Sequence, residues 1–443
     1  MPDAAPYPLR FEELALKITA FAEGKCTVSV LQSSYGTPDA ASDLSSLPTE
    51  LPDVRRTLEF LSGRSREIED ADIVFPRGPG SRTAEERVGA ALFRALFTGP
   101  ILRTFHLALG RADAGQGTGL RIRLVFDPIS TESARVSFLP WELLYREETR
   151  EFLARNLWTP VVRCLEAPRL TAATEAELPL KMLVVLSHPA DTLELQLEKE
   201  CHRIERALGR KGDFDIRILD QPSLLDIRRA LLAETFHILH YMGHGTASEA
   251  TGTGFLLFAG ENSRTQRVEG PQFAEVAKIA RSLRLVVLNA CRTAQHASAE
   301  GQDPYTGVAS ALLMAGIPAV IAMRHPITDD AALAFSEHLY TSLAAGMPID
   351  AAAAEARAAI YFSTTDSSEW ATPALFMSTP DGALFSRPQA PQNDPKNEPL
   401  PVERTLPEGS YNTTGGVGGV TIGGSGNVNY GGIRTTGRGA KDD

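Results

Sequence analysis

The chain has 443 residues, 43% of them hydrophobic and 22% charged, an ordinary globular composition with length for two or three domains. A net charge of −11 argues against a general nucleic-acid binder or a binder of anionic membranes. No run of about 18 apolar residues predicts a membrane span, and the opening Met1-Pro-Asp-Ala-Ala-Pro-Tyr-Pro8 lacks the basic and apolar regions of a secretory signal. Four scattered cysteines (Cys26, Cys164, Cys201, Cys291) form no CxxC pair, which speaks against a zinc site or disulfide framework and fits a reducing cytoplasm.

The first 119 residues read as an N-terminal α+β region. Residues 36–56 are rich in Ser, Pro and Asp and predict a long loop. Thr83-Ala-Glu-Glu86 has the capping-box pattern and opens a helix through Val88, Leu92, Ala95 and Leu96. Leu120–Phe126 predicts a strand, and Leu139-Pro-Trp-Glu-Leu-Leu-Tyr145 follows it. From Lys181 a strand–helix rhythm sets in. Strands are expected at 182–186, 216–219, 236–243, 254–258, 285–290, 319–323 and 374–377. Helices are expected at 193–208, 223–233, from Pro271 to about Arg281, and at 306–315, 329–345 and 350–361. Such alternation implies an α/β fold with a mostly parallel sheet flanked by helices, spanning 120–385 with its core at 181–385. Residues 386–411 read as a proline-rich linker, and 412–443 as a Gly/Asn-rich, disordered tail.

Two strand ends carry reactive side chains. Phe236-His-Ile-Leu-His-Tyr-Met-Gly-His-Gly245 stops at His244, and Leu285-Val-Val-Leu-Asn-Ala-Cys-Arg-Thr293 stops at Cys291. In open parallel sheets ligands bind beyond the carboxyl ends of the strands, so two such ends side by side place an imidazole and a thiol in one cleft. A thiol needs a neighbouring base to become a nucleophile. His244 suits that role, and the backbone N–H groups of Gly245 and Cys291 suit an oxyanion. The 47-residue separation is close to the roughly 50 of the caspase order, His before Cys. Taken singly, a Cys ending an apolar strand is usually a small core residue, and a His beside glycine a turn residue. His240 is able to orient His244 or to serve as a core histidine.

Gly243-His-Gly245 and Asn289-Ala-Cys-Arg-Thr293, each after an apolar strand, resemble the CHAT domain, a bacterial branch of the caspase–separase cysteine proteases. Leu139–Tyr145, Leu183-Val-Val-Leu-Ser-His-Pro-Ala-Asp191 and Leu312-Leu-Met-Ala-Gly-Ile-Pro-Ala-Val320 extend the resemblance over about residues 120–385. It implies a caspase-like fold and peptide-bond hydrolysis by a His244–Cys291 dyad, with a protein or peptide as substrate and no metal or organic cofactor. Where the family often carries Trp, after the strand ending at Met323, this chain has Arg324-His325. Asp191 stands where related proteases place a pocket charge, which implies a preference for a basic residue before the cut. It equally suits a helix N-cap. Asp303 and Asp329 are further pocket candidates, each also at a helix start.

In the tail, Val420, Thr421, Ile422 and Gly423 with Asn427 close behind resemble the RHIM-type amyloid signalling motif, with Thr421 where that motif usually has Gln. Such a motif implies self-assembly, recruitment by a sensor carrying a similar segment, and activation by clustering in a bacterial defence or cell-death pathway. A glycine-dominated flexible tail is the other reading. Against the peptidase stands a catalytically silent caspase-like scaffold that uses the tail for homotypic assembly. An unrelated α/β ligand-binding module lacks support, since no glycine-rich phosphate loop follows any strand.

Overall fold

The computed structural model describes residues 10–20, 25–43, 83–115, 117–128, 130, 133, 136–166, 174–190, 202, 204–206, 208, 212–247, 254–260, 264–290, 304–324, 327–364 and 368–386. In chain order the strands are β1 (Arg10–Ala20), β2 (Lys25–Gln32), β3 (Asp39–Asp43), β4 (Thr118–Phe126), β5 (Tyr145–Arg146), β6 (Glu151–Phe152), β7 (Val161–Leu165), β8 (Thr174–Glu175), β9 (Leu180–Ser187), β10 (Phe214–Asp220), β11 (Ile238–Gly243), β12 (Gly245–Ala247), β13 (Gly254–Ala259), β14 (Thr265–Glu269), β15 (Leu285–Ala290), β16 (Ala319–Met323), β17 (Pro373–Met377) and β18 (Phe385–Ser386). The helices are α1 (Ala84–Leu96), α2 (Gly99–Ala114), α3 (Leu224–Ala233), α4 (Gly270–Ala277), α5 (Pro304–Met314), α6 (Asp329–Ala344) and α7 (Ile349–Ser363).

Eleven strands form one sheet in the order β10-β9-β11-β15-β16-β17-β7-β4-β1-β2-β3. From β10 to β16 all neighbours are parallel. β17 runs against β16, and with β7, β4 and β1 it makes a second parallel block of opposite direction. The central strands are apolar runs buried on both faces, as parallel strands under helices must be. Their side chains alternate between two cores. Leu183, Val185, Leu239, Tyr241, Val286 and Leu288 pack with Ile227, Phe273 and Leu312 of α3, α4 and α5. Met182, Val184, Ile238, Met242, Leu285 and Val287 pack with Phe335, Leu339 and Ile360 of α6 and α7. This is the α/β architecture expected from the strand–helix rhythm.

Local signals explain the helix starts. Thr83 and Glu86 cap α1 reciprocally, the Glu86 N–H donating to Thr83 Oγ1 at 3.2 Å and the Thr83 N–H to Glu86 Oε2 at 3.1 Å. Ser223 and Asp226 do the same for α3. α4 starts beside Pro271 as expected but ends at Ala277, four residues before the expected Arg281. The N-terminal third differs most from expectation. Within the stretch predicted as loop, Asp39–Asp43 is an edge strand on β2. β1 lies parallel to β4, so one sheet crosses the boundary drawn at 119/120. No helix of the described residues is long and apolar enough to cross a membrane. Apart from Ser386, which belongs to β18, the linker and tail, including Val420, Thr421, Ile422, Gly423 and Asn427, lie outside the described residues.

Candidate active site

Three neighbouring strands end in register. Ser187 of β9 pairs with Gly243 of β11, and Gly243 pairs with Ala290 of β15. The next residues in the three chains are His188, His244 and Cys291. Adjacent strands lie about 4.8 Å apart, so the chain leaves β11 for His244 and β15 for Cys291 from neighbouring points of one sheet edge. Cys291 itself lies outside the described residues, as do Asp191 and Asp303. The backbone of Asp329 opens α6, but its side chain is not described, and the N-cap there is Thr328, whose Oγ1 accepts from the Ala331 N–H at 3.4 Å.

Gly243 is glycine because β11 and β9 press together at this point. A Cβ there would stand 2.6 Å from the Ser187 carbonyl oxygen and 2.7 Å from the Tyr241 hydroxyl. The following residue is clamped by its backbone. The His244 carbonyl accepts from the Leu257 N–H at 3.0 Å. The Tyr241 hydroxyl lies 2.9 Å from that carbonyl and 2.7 Å from the Leu257 carbonyl, donating to one or the other, and Ser187 Oγ donates to Leu257 at 2.8 Å. His244 is buried, with 3% of its surface exposed.

Beyond His244 the chain joins a small antiparallel sheet, β12-β13-β14, with Gly245 opposite Leu256. Because Leu257 donates to His244, the His244–Leu257 and Thr246–Phe255 pairs are the hydrogen-bonded ones. Gly245 therefore aims its N–H away from β13. That orientation suits an oxyanion donor.

His188, which the sequence reading passed over, is held on three sides. Its N–H donates to Gln221 Oε1 at 3.2 Å, its Nδ1 accepts from Gln221 Nε2 at 2.6 Å, and its Nε2 lies 3.2 Å from Asp220 Oδ1. Gln221 takes a left-handed conformation, φ 49°, to reach it. The partners lie at the end of the neighbouring strand β10, 32 residues away, so only the apolar run ending at Ser187 hinted at the site.

The other histidines in and beside β11 are elsewhere engaged. His240 is fully buried on the α6 face, with Nδ1 2.9 Å from the Tyr340 hydroxyl, and burial holds its pKa down at about 4. It is a neutral core residue. His237 accepts from the Lys181 N–H at 3.0 Å, and burial followed by the charges of Lys181 and Arg284 lowers its pKa.

Arg324, which follows β16, is turned into the protein interior. It is buried at the end of β16, donates to the carbonyls of Phe138 and Leu139, and approaches Glu142 Oε2 at 3.9 Å. Glu142, from the Leu139–Tyr145 segment, accepts from Arg163 at 2.9 and 2.5 Å. Burial pushes the Glu142 pKa up, but the charges of Arg163, Arg324 and Arg357 outweigh it and the net shift is downward. This charge cluster ties the end of β16 to β7 and α7. Among the described residues no group of three His, Cys, Asp or Glu side chains is arranged to hold a metal. A cavity of about 400 Å³ opens between α2 and the β5–β6 hairpin, lined by Asp113, Arg146, Glu151 and Trp158, well away from His244.

The family model described as CHAT domain matches residues 86–391. Among solved structures the chain is similar to two of the Saccharomyces cerevisiae separase–securin complex, each at 12% identity. One match has a TM-score of 0.45 and covers 83% of this chain and 30% of that one; the other has 0.39 and covers 82% and 30%. The chain thus spans less than a third of the length of the separase chains it matches. No curated protein sequence matches the chain.

Proposed function

The chain belongs to the CHAT domain family, and on that premise we propose that it is a cysteine endopeptidase working through His244 and Cys291. The observation that carries the reading is the register of Gly243 with Ala290, which sends the two chains off one sheet edge at adjacent points. His244 takes the proton from the Cys291 thiol. The thiolate sulfur forms a bond to the scissile carbonyl carbon, and the carbonyl electron pair moves onto oxygen, held by the N–H groups of Gly245 and Cys291. As the carbonyl re-forms, the C–N bond breaks and the imidazolium gives its proton to the leaving amine. Water, deprotonated by His244, then attacks the thioester, releasing the acid and returning the thiol.

An acidic pocket formed by Asp191, with Asp303 and Asp329 as alternatives, selects a basic residue before the cut. The tail motif Val420–Gly423 with Asn427 gathers copies of the enzyme, or joins it to a sensor, so that clustering activates it in a defence or cell-death response. The test is turnover of fluorogenic peptides ending in Arg, Leu or Asp. Cys291→Ala is expected to abolish cleavage while thermal unfolding stays at the wild-type temperature. Cleavage that persists in Cys291→Ala would remove the dyad, and failure of the wild type on all peptides and on host-cell protein would leave the scaffold reading.

A further inference from the structure

The strand that begins at the residue after His244 has one edge paired and one edge without a strand partner among the described residues. Its hydrogen-bonding phase is fixed. His244 and Thr246 turn their backbone groups toward β13, because Leu257 donates to the His244 carbonyl and antiparallel ladders alternate. Gly245 and Ala247 therefore turn their N–H and C=O groups to the outer edge. Ser187 of β9 and Tyr241 of β11 both reach β13 through the Leu257 carbonyl, so β13 lies over the ends of those two strands, and the outer edge of β12 is the one opposite β13. The first outward N–H is the proposed oxyanion donor, Gly245. The next, Ala247, is two residues on, about 6.6 Å along an extended chain.

We infer that the outer edge of β12 binds the substrate segment after the scissile bond as an added parallel strand. This rests on the peptidase reading above. With the carbonyl of the residue before the cut on the Gly245 N–H, the parallel ladder assigns the remaining rungs. The second residue after the cut donates its N–H to the Gly245 carbonyl and accepts from the Ala247 N–H with its own carbonyl. Recognition through Gly245 and Ala247 is by backbone, so it selects an extended, unmethylated peptide chain rather than a side chain. The enzyme accordingly discriminates short substrates from long ones at this edge.

The full chain is assayed on two substrates cut after the same residue: a peptidyl coumarin amide with no residue beyond the cut, and an internally quenched peptide with four. Ala247→Pro removes one outward N–H at an edge position and leaves the bonds to β13 intact. It is expected to leave the coumarin amide within twofold of wild type and to lower kcat/KM on the long peptide about five- to tenfold, the worth of one backbone hydrogen bond. Methylating the amide nitrogen of the second residue after the cut is expected to cost the wild type a similar factor, which tests the ladder even if Ala247→Pro fails to fold. Equal losses on both substrates, a silent N-methyl, or an N-methyl effect confined to the third residue before the cut would overturn the ladder and leave the dyad standing. Absence of Cys291-dependent turnover on either substrate would instead overturn the peptidase reading and the ladder with it.

Discussion

Replacing Gly243 by alanine tests how the sheet aims His244. The added Cβ meets the Ser187 carbonyl oxygen at 2.6 Å and the Tyr241 hydroxyl at 2.7 Å. Carbon and oxygen rest about 3.5 Å apart, so β11 and β9 must separate by roughly 0.9 Å and the Tyr241 ring must shift against Phe258 and Phe273. Overpacking on this scale costs about 1–3 kcal/mol, which lowers Tm by roughly 1 °C per kcal/mol in a unit of this size. The displaced residue is the neighbour of the proposed base, and a shift of about 1 Å at a reacting group costs on the order of 100-fold in rate. Scanning calorimetry and peptide turnover on Gly243→Ala read both effects. Tyr241→Phe removes one of the two clashing atoms. The double variant is therefore expected to lose less stability than the two single losses together, by at least about 0.5 kcal/mol. A Gly243→Ala protein with wild-type Tm and wild-type turnover would refute the reasoning that β11 is pressed against β9 where the active-site chain begins.

Glu142→Gln keeps the shape of the side chain but leaves Arg163, Arg324 and Arg357 buried around an uncharged amide; urea unfolding should show a loss of about 3–5 kcal/mol, and a neutral result would mean that the carbonyls of Ser137, Phe138 and Leu139 suffice. Because the carboxyl of Glu142 titrates below its ordinary 4.5 in the folded chain, its contribution is present above that pH and lost as pH falls through the folded value. His240 acts at higher pH. Its folded pKa, near 4 rather than 6.5, means the unfolded chain binds the extra proton between those values. Stability should therefore fall by roughly 3 kcal/mol as pH drops from about 6.5 to 4, and His240→Gln should flatten that part of the profile. An unchanged profile would contradict the burial of a neutral imidazole against Tyr340.

The central strands were legible because burial on both faces writes itself as short apolar runs, and a reactive residue that ends such a run stands out. β11 and β15 could be read this way down to their last residues. Their register could not, since pairing is set by tertiary packing, and it is the register that aligns Gly243 with Ala290. β1 hid for a different reason. Its Glu12, Glu13 and Lys17 look like a solvated surface, yet they pair with Arg111, Arg121, Arg123 and Glu166, 99 to 149 residues away. Glu142 is equally opaque: its neighbours Trp141 and Leu143 suggest a core segment, and the arginines that make a buried carboxylate tolerable come from β7, β16 and α7. β12 is three residues long, too short for any periodicity, and only the contact of Leu257 with His244 fixes its phase.

The most direct measurement is the alkylation rate of Cys291 against pH, followed by peptide mapping with sub-stoichiometric iodoacetamide, in wild type and in His244→Gln. Cys26 and Cys164 serve as internal controls: both are buried, and burial pushes the Cys164 thiol up to about 11. The account predicts that Cys291 is labelled first, that it reacts well below the free-thiol value of about 8.5, and that this low-pH reactivity disappears with the imidazole. A Cys291 profile identical in the two proteins, or no faster than the buried controls, would contradict a shared proton between positions 244 and 291.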